Sequence, residues 1–178
     1  MKKKMLSIAM IFIMVLVFGL FAMGSGSGDS SSKSDENAVG SRNNPLTVGN
    51  TMESNGLKIS LDETDLNYTG YDNKYGLHTP QDGMKYVAAK FTYQNDGERD
   101  AYVSIYDFKC YADGTACQQE YGLDPEGSAS KDFINTNLSP GRNVSFTTYY
   151  SVPAGAQSIE LEYEANIWSD KKAYIKLQ

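Results

Sequence analysis

From Pro45 onward, apolar residues recur at every second position. Leu57, Ile59 and Leu61 alternate with Lys58, Ser60 and Asp62, and Val87, Ala89, Phe91 and Tyr93 with Ala88, Lys90 and Thr92. Val144, Phe146, Thr148 and Tyr150 share a parity. Ile159, Leu161 and Tyr163 are interleaved with Glu160, Glu162 and Glu164, and Ala173, Ile175 and Leu177 close the series. A period of two places one set on a buried face and the other toward water, the signature of half-buried strands. No window of ten residues has helical periodicity, and only Asp132–Asn135 fits a single helical turn.

Turn chemistry marks the ends of these runs. Asp82-Gly83, Asp96-Gly97 and Asp113-Gly114 are dipeptides that tolerate the positive φ of tight turns. Asp96-Gly97 predicts a hairpin joining a strand that ends near Gln94 to one that begins near Tyr102. Short strands with such punctuation predict an all-β fold, an immunoglobulin-like antiparallel β-sandwich of about seven to eight strands over residues 45–178. Thirteen tyrosines suit this reading, since a strand buries the ring and leaves the hydroxyl at the surface.

Upstream the pattern changes twice. Lys2, Lys3 and Lys4 precede an uncharged, largely apolar run from Leu6 to Met23. Residues 1–23 therefore read as a signal peptide, cleaved at about Gly24-Ser25, or as an uncleaved membrane anchor, since the run is about 27 Å long as a helix. Lysines ahead of the run place the remainder outside the cytoplasm in both cases, so an exported chain is expected, extracellular or tethered to the outer face of the cytoplasmic membrane. No cysteine stands at the end of the run, anywhere in residues 24–44, to carry a lipid. Residues 24–44 are rich in Gly, Ser, Asp and Asn and read as a disordered linker.

Charge narrows the functional classes. The 16 Lys and Arg less the three leader lysines leave 13, against 22 acidic residues, and the formal net charge is −6 overall. Such an acidic chain has no electrostatic footprint for nucleic acid. One histidine and two cysteines leave few ligands for a soft-metal centre. Neither a cofactor nor an enzyme is expected. His78, in Gly76-Leu77-His78-Thr79-Pro80, has no nucleophile signature beside it and reads as a surface residue. The acidic stretches Asp62-Glu63-Thr64-Asp65 and Asp124-Pro125-Glu126 lack the spacing of a calcium loop and read as solvated turns.

Two local features carry chemistry. Cys110 and Cys117 flank Asp113-Gly114 symmetrically, so a two-residue hairpin pairs Ala112 with Thr115, Tyr111 with Ala116 and Cys110 with Cys117. Opposed residues lie within disulfide range, and an exported chain meets oxidising conditions, so a Cys110–Cys117 disulfide is expected. The loop from Asn67 to Gly76 carries Tyr68, Tyr71 and Tyr75 among Asn, Gly and Asp, the composition of a binding loop. The alternative is that these rings cap one end of the sandwich.

The order of motifs also carries a resemblance. Asn44-Pro45, Val48-Gly49, Gly56-Leu57-Lys58-Ile59, Gly83-Met84-Lys85-Tyr86-Val87 and Asn95-Asp96-Gly97 are followed by Leu138-Ser139-Pro140-Gly141, Val152-Pro153, Gly155-Ala156 and Ile159–Tyr163. The series resembles the bacterial extracellular immunoglobulin-like, or telokin-like, family of unknown function, related to the immunoprotective extracellular protein group. The resemblance implies the same β-sandwich on exported or lipid-anchored proteins and supplies no catalytic residue. The expected function is an extracytoplasmic, non-enzymatic binding, adhesion or envelope-assembly module with a protein or glycan partner at the cell envelope. The alternative is a carbohydrate- or peptide-binding accessory domain that uses the Tyr68–Tyr75 loop.

Overall fold

A computed structural model of the chain describes residues 37–54, 56–125, 134–164 and 172–178. The predicted leader at 1–23, most of the predicted linker and most of the predicted turn at Asp132 lie outside them, and Asn135 already belongs to a strand. Eleven strands are present among the described residues: β1 (Thr51–Ser54), β2 (Leu57–Asp65), β3 (Met84–Asn95), β4 (Ala101–Ser104), β5 (Phe108–Ala112), β6 (Thr115–Ala116), β7 (Gln118–Glu120), β8 (Asn135–Leu138), β9 (Asn143–Pro153), β10 (Ile159–Tyr163) and β11 (Ala173–Lys176). A 3₁₀ turn, Ile105–Asp107, links β4 to β5. None of the described helices is long and apolar enough to cross a membrane.

The strands form an antiparallel β-sandwich. One sheet has the order β1-β2-β3-β9-β7, the other β11-β10-β5-β6, and β4 and β8 make a separate pair. The predicted alternation is the inner face: Ile59, Leu61, Val87, Phe91, Tyr93, Phe146, Tyr150, Ile159, Leu161 and Ile175 are all 0–2% exposed. Phe91 of the first sheet stacks on Phe108 of the second at 4.6 Å. Removing such a ring leaves a cavity the two sheets cannot close, so Phe91→Ala costs about 3–5 kcal/mol.

The strand count exceeds the predicted seven to eight because the short strands β1 and β8 lie outside the alternating runs and because the chain changes sheets at Cys117. Thr115–Ala116 pair with β5, whereas Gln118–Glu120 pair with β9. One run in sequence thus becomes two short strands.

The hairpin predicted at Asp96-Gly97 does not form. Both edges of β3 are taken, by β2 and by β9, and β4 pairs with β8 instead. Asn95, 1% exposed, steers the exit. Its side-chain amide donates to the carbonyls of Arg99 (2.9 Å) and Leu138 (2.6 Å), and its Oδ1 accepts from the Gly97 amide at 2.9 Å.

The outer face of β10 is also more than a solvated row. Glu162 holds Lys172 at 2.8 Å and Arg42 at 3.6 Å, and Glu164 holds Lys109 at 2.9 Å. Arg42 lies 4.0 Å above the ring of Tyr174, and the Tyr174 amide donates to the Gly40 carbonyl at 2.8 Å. The end of the predicted linker is therefore fastened to β11, and Leu46 follows it in a parallel bridge to Ile175.

Candidate functional site

The loop between β2 and β3 is built by short side chains that bond their own backbone. Asp65 accepts from the Asn67 amide and Asp72 from the Lys74 amide, both at 2.9 Å. Asn73 accepts from the His78 amide at 3.0 Å and its carbonyl accepts from Gly76 at 3.0 Å. These turns fold the loop back across the outer face of the five-stranded sheet.

There it meets a second apolar cluster of Tyr86, Ala88, Leu123 and Tyr149, with Tyr68 and Tyr71 packed on it. The Tyr68 ring lies 5.1 Å from that of Tyr149, and its hydroxyl donates to the Leu123 carbonyl at 2.8 Å. Tyr71 meets Tyr86 edge to face at 5.3 Å. Tyr149 donates to Asp124 Oδ1 at 2.9 Å, so Asp124 serves as an acceptor for the cluster rather than a solvated turn. Of the three predicted ligand tyrosines, Tyr68 and Tyr71 thus cover the sheet, and only Tyr75, 77% exposed, faces solvent beside an equally exposed Leu77. Asp62–Asp65 also depart from expectation, lying in β2, where Asp62 accepts from Thr92 at 2.7 Å beside a bulge. Among the described residues no group of three His, Cys, Asp or Glu is placed to hold a metal ion.

Where the returning arm of the loop (Thr79, Gln81) faces the edge strand β7, a pocket of about 390 Å³ opens. Met84, Tyr86, Ser151 and Pro153 line it from β3 and β9, the hairpin Ala112–Cys117 walls one side, and Gln118 and Glu120 project from β7. Burial pushes the Glu120 carboxyl above its ordinary pKa, and the nearby His78 acts in the opposite direction. Tyr86 is raised too, first by its own burial and then by the Glu120 charge. His78 is half-buried, with Cε1 3.3 Å from where a Cβ on Gly122 would stand. It is packed between loop and β7 rather than on open surface. The sequence reading missed Glu120, Tyr86 and Tyr149. The signal for the two tyrosines is the loss of alternation at Tyr86–Ala89 and Tyr149–Ser151, where consecutive residues are all buried, whereas nothing in the sequence marks Glu120.

The cysteine hairpin forms in the predicted register, with Ala112 opposite Thr115, Tyr111 opposite Ala116, and the Cys117 amide donating to the Cys110 carbonyl at 2.8 Å. Asp113 and Gly114 both have positive φ, 49° and 78°. The disulfide is the correction: Cys110 and Cys117 are free thiols, the first buried and the second half-buried. Cys117 is the residue at which the chain leaves one sheet for the other, and its thiol contacts the Thr115 carbonyl at 3.5 Å while meeting the Cys110 thiol in a hydrogen bond. A hydrogen-bonded register pair also holds its Cα atoms at the wider antiparallel spacing. Burial raises the Cys110 pKa furthest, with Cys117 adding to the shift.

Solved structures share the architecture. A candidate lipoprotein of Bacillus subtilis, ycdA, aligns with a TM-score of 0.56 at 18% identity, over 71% of this chain and 37% of its own. The yjhA protein of Bacillus subtilis gives 0.56 at 15% identity, over 75% and 100%. A conserved hypothetical protein of Bacillus anthracis gives 0.51 at 14%, over 74% and 95%. The chain therefore spans little more than a third of the ycdA protein and the whole of yjhA, and at these identities the likeness establishes the fold alone. No curated protein matches the sequence. A family model does match, from residue 46 to residue 173, from ahead of β1 to the first residue of β11, and the chain accordingly belongs to the DUF4352 family, a domain of unknown function.

Proposed function

We propose that the domain is an extracytoplasmic, non-enzymatic binding module of the cell envelope, and that its ligand seat is the pocket between the tyrosine-built loop and β7. One observation carries the reading: a 390 Å³ concavity, mixed polar and apolar, held on three hydrogen-bonded strands and flanked by a loop that packs Tyr68 and Tyr71 on a small apolar cluster of the sheet. Binding sites are commonly of this kind, a rigid scaffold presenting a loop. The lysine-led apolar run at 6–23 and the structural likeness to a candidate lipoprotein support a place outside the cytoplasm. A kinship with immunoprotective extracellular proteins, implied by the motif order, belongs to the same proposal.

The test is capture from envelope extract, with a glycan array run in parallel. Wild-type protein is expected to retain a protein or glycan partner, and Ala116→Phe, which fills the pocket from its rim, is expected to lose it. Equal capture by both proteins would remove the pocket from the proposal. A second reading, in which the exposed Tyr75 and Leu77 grip a sugar or peptide at the loop tip, predicts instead that Tyr75→Ala abolishes capture while Ala116→Phe does not.

A further inference from the structure

The chemistry of the pocket narrows the ligand class, and the inference rests on the pocket reading above. Glu120 is the one charged side chain among the residues that line the pocket. Three acids elsewhere on the surface have cations: Glu162 has Lys172 and Arg42, Glu164 has Lys109, and Asp96 has Lys58 at 2.7 Å. The Glu120 carboxyl is half-buried and makes neither a hydrogen bond nor an ion pair among the described residues, with His78 near enough to act on its charge but not within ion-pair distance. A carboxylate that has given up part of its water without gaining a hydrogen bond is costly, and a cation entering beside it offsets that cost.

The rest of the lining specifies which cation. Tyr86 offers an aromatic ring next to the carboxylate, and Met84 and Pro153 add apolar surface. Gln81, Gln118 and Ser151 supply neutral acceptors around it. A carboxylate, an aromatic ring and apolar walls together suit an ammonium group on an aliphatic stem, since the ring attracts the cation and the walls bury the methylenes. A metal ion is a poor fit, because one carboxylate falls short of the six to eight oxygens calcium takes.

We infer that the pocket binds a primary ammonium group carried on a short aliphatic stem, as presented by the side chain of lysine in a peptide, with Glu120 as its counter-charge. The positioning is direct: the ammonium pairs with the Glu120 carboxylate, and the stem lies along Met84 and Pro153.

Isothermal titration calorimetry of the full-length chain with Nα-acetyl-lysine methylamide, and with the same compound acetylated at Nε, tests it. The charged probe is expected to bind about tenfold or more tightly than the neutral one. Glu120→Gln, of the same shape, is expected to erase that preference, with circular dichroism confirming the fold. Ala116→Phe is expected to remove binding of both probes. Equal affinity for the two probes, or a preference retained in Glu120→Gln, overturns the ligand class. Should the lysine probe fail while envelope capture still depends on Ala116, the ammonium assignment falls and the binding module stands. Should both fail, both readings fall.

Discussion

At the scale of single residues, burial sets the chemistry of the polar groups. Asp107, half-buried at the end of the 3₁₀ turn, has no partner for its Oδ2 among the described residues, and burial raises its pKa to about 6. Its ordinary value is 3.8, so between the two the folded chain holds a proton that the unfolded chain has released. The stabilising contribution is therefore complete below about pH 4 and is lost as pH rises toward 6. Allowing for the exposed part of the group, about 1–2 kcal/mol is at stake. Chemical denaturation at pH 4 and pH 7 should show wild type losing that much more stability than Asp107→Asn across the interval. Asn95 offers a sharper case. Replacing it by Ala strands the Arg99 and Leu138 carbonyls and the Gly97 amide at once, and unfolding should become easier by about 2–4 kcal/mol. The cysteines separate by exposure: native-state alkylation followed by peptide mapping should label Cys117 before Cys110, whose thiolate is disfavoured by burial.

At the scale of elements, the five-stranded sheet is covered on both faces, and the second cover is a loop. Tyr68→Ala removes the ring against Tyr149 and the bond to Leu123, and the cost should be about 1–3 kcal/mol, confined to the loop. Limited proteolysis should then cut between residues 66 and 83 well before the sandwich unfolds. The hairpin at Asp113-Gly114 is pinned differently. The Asp113 carboxylate accepts from the amides of Gln157 (3.0 Å) and Ser158 (2.8 Å), tying the turn to the strand that follows Pro153. Gly114→Ala places a Cβ at φ 78° and should lower stability by about 1 kcal/mol, seen as a fall of several degrees in Tm. This turn was legible because Asp-Gly dictates its own local geometry. The Asp96-Gly97 turn misled for the complementary reason: the dipeptide specifies a reversal, and only the occupied edges of β3 decide that the returning strand joins β8.

At the scale of the whole molecule, three lysines and an apolar run occupy residues 1–23 and the remainder is acidic, the pattern behind the proposed place outside the cytoplasm. Deleting residues 1–23 should leave the protein in the cytoplasm, checked by fractionation, while the unaltered chain appears outside it. Mass spectrometry of any protein recovered outside the cytoplasm should then find either a chain starting near Ser25 or one that retains residues 1–23. The sequence alone determined what depends on a residue and its neighbours: strand period, the identity of the inner face from Leu57 to Leu177, the register of the cysteine hairpin, and the acidic outer row of β10. The tertiary structure alone decided which strands pair, the change of sheet at Cys117 that leaves two free thiols, the burial of Tyr68 and Tyr71, and the meeting of Glu120 with Tyr86 in one pocket. The reason is physical. Alternation and turn preference are local energies written residue by residue. Pairing across tens of residues costs little more loop entropy for one partner than for another, so packing of the finished sheets makes the choice.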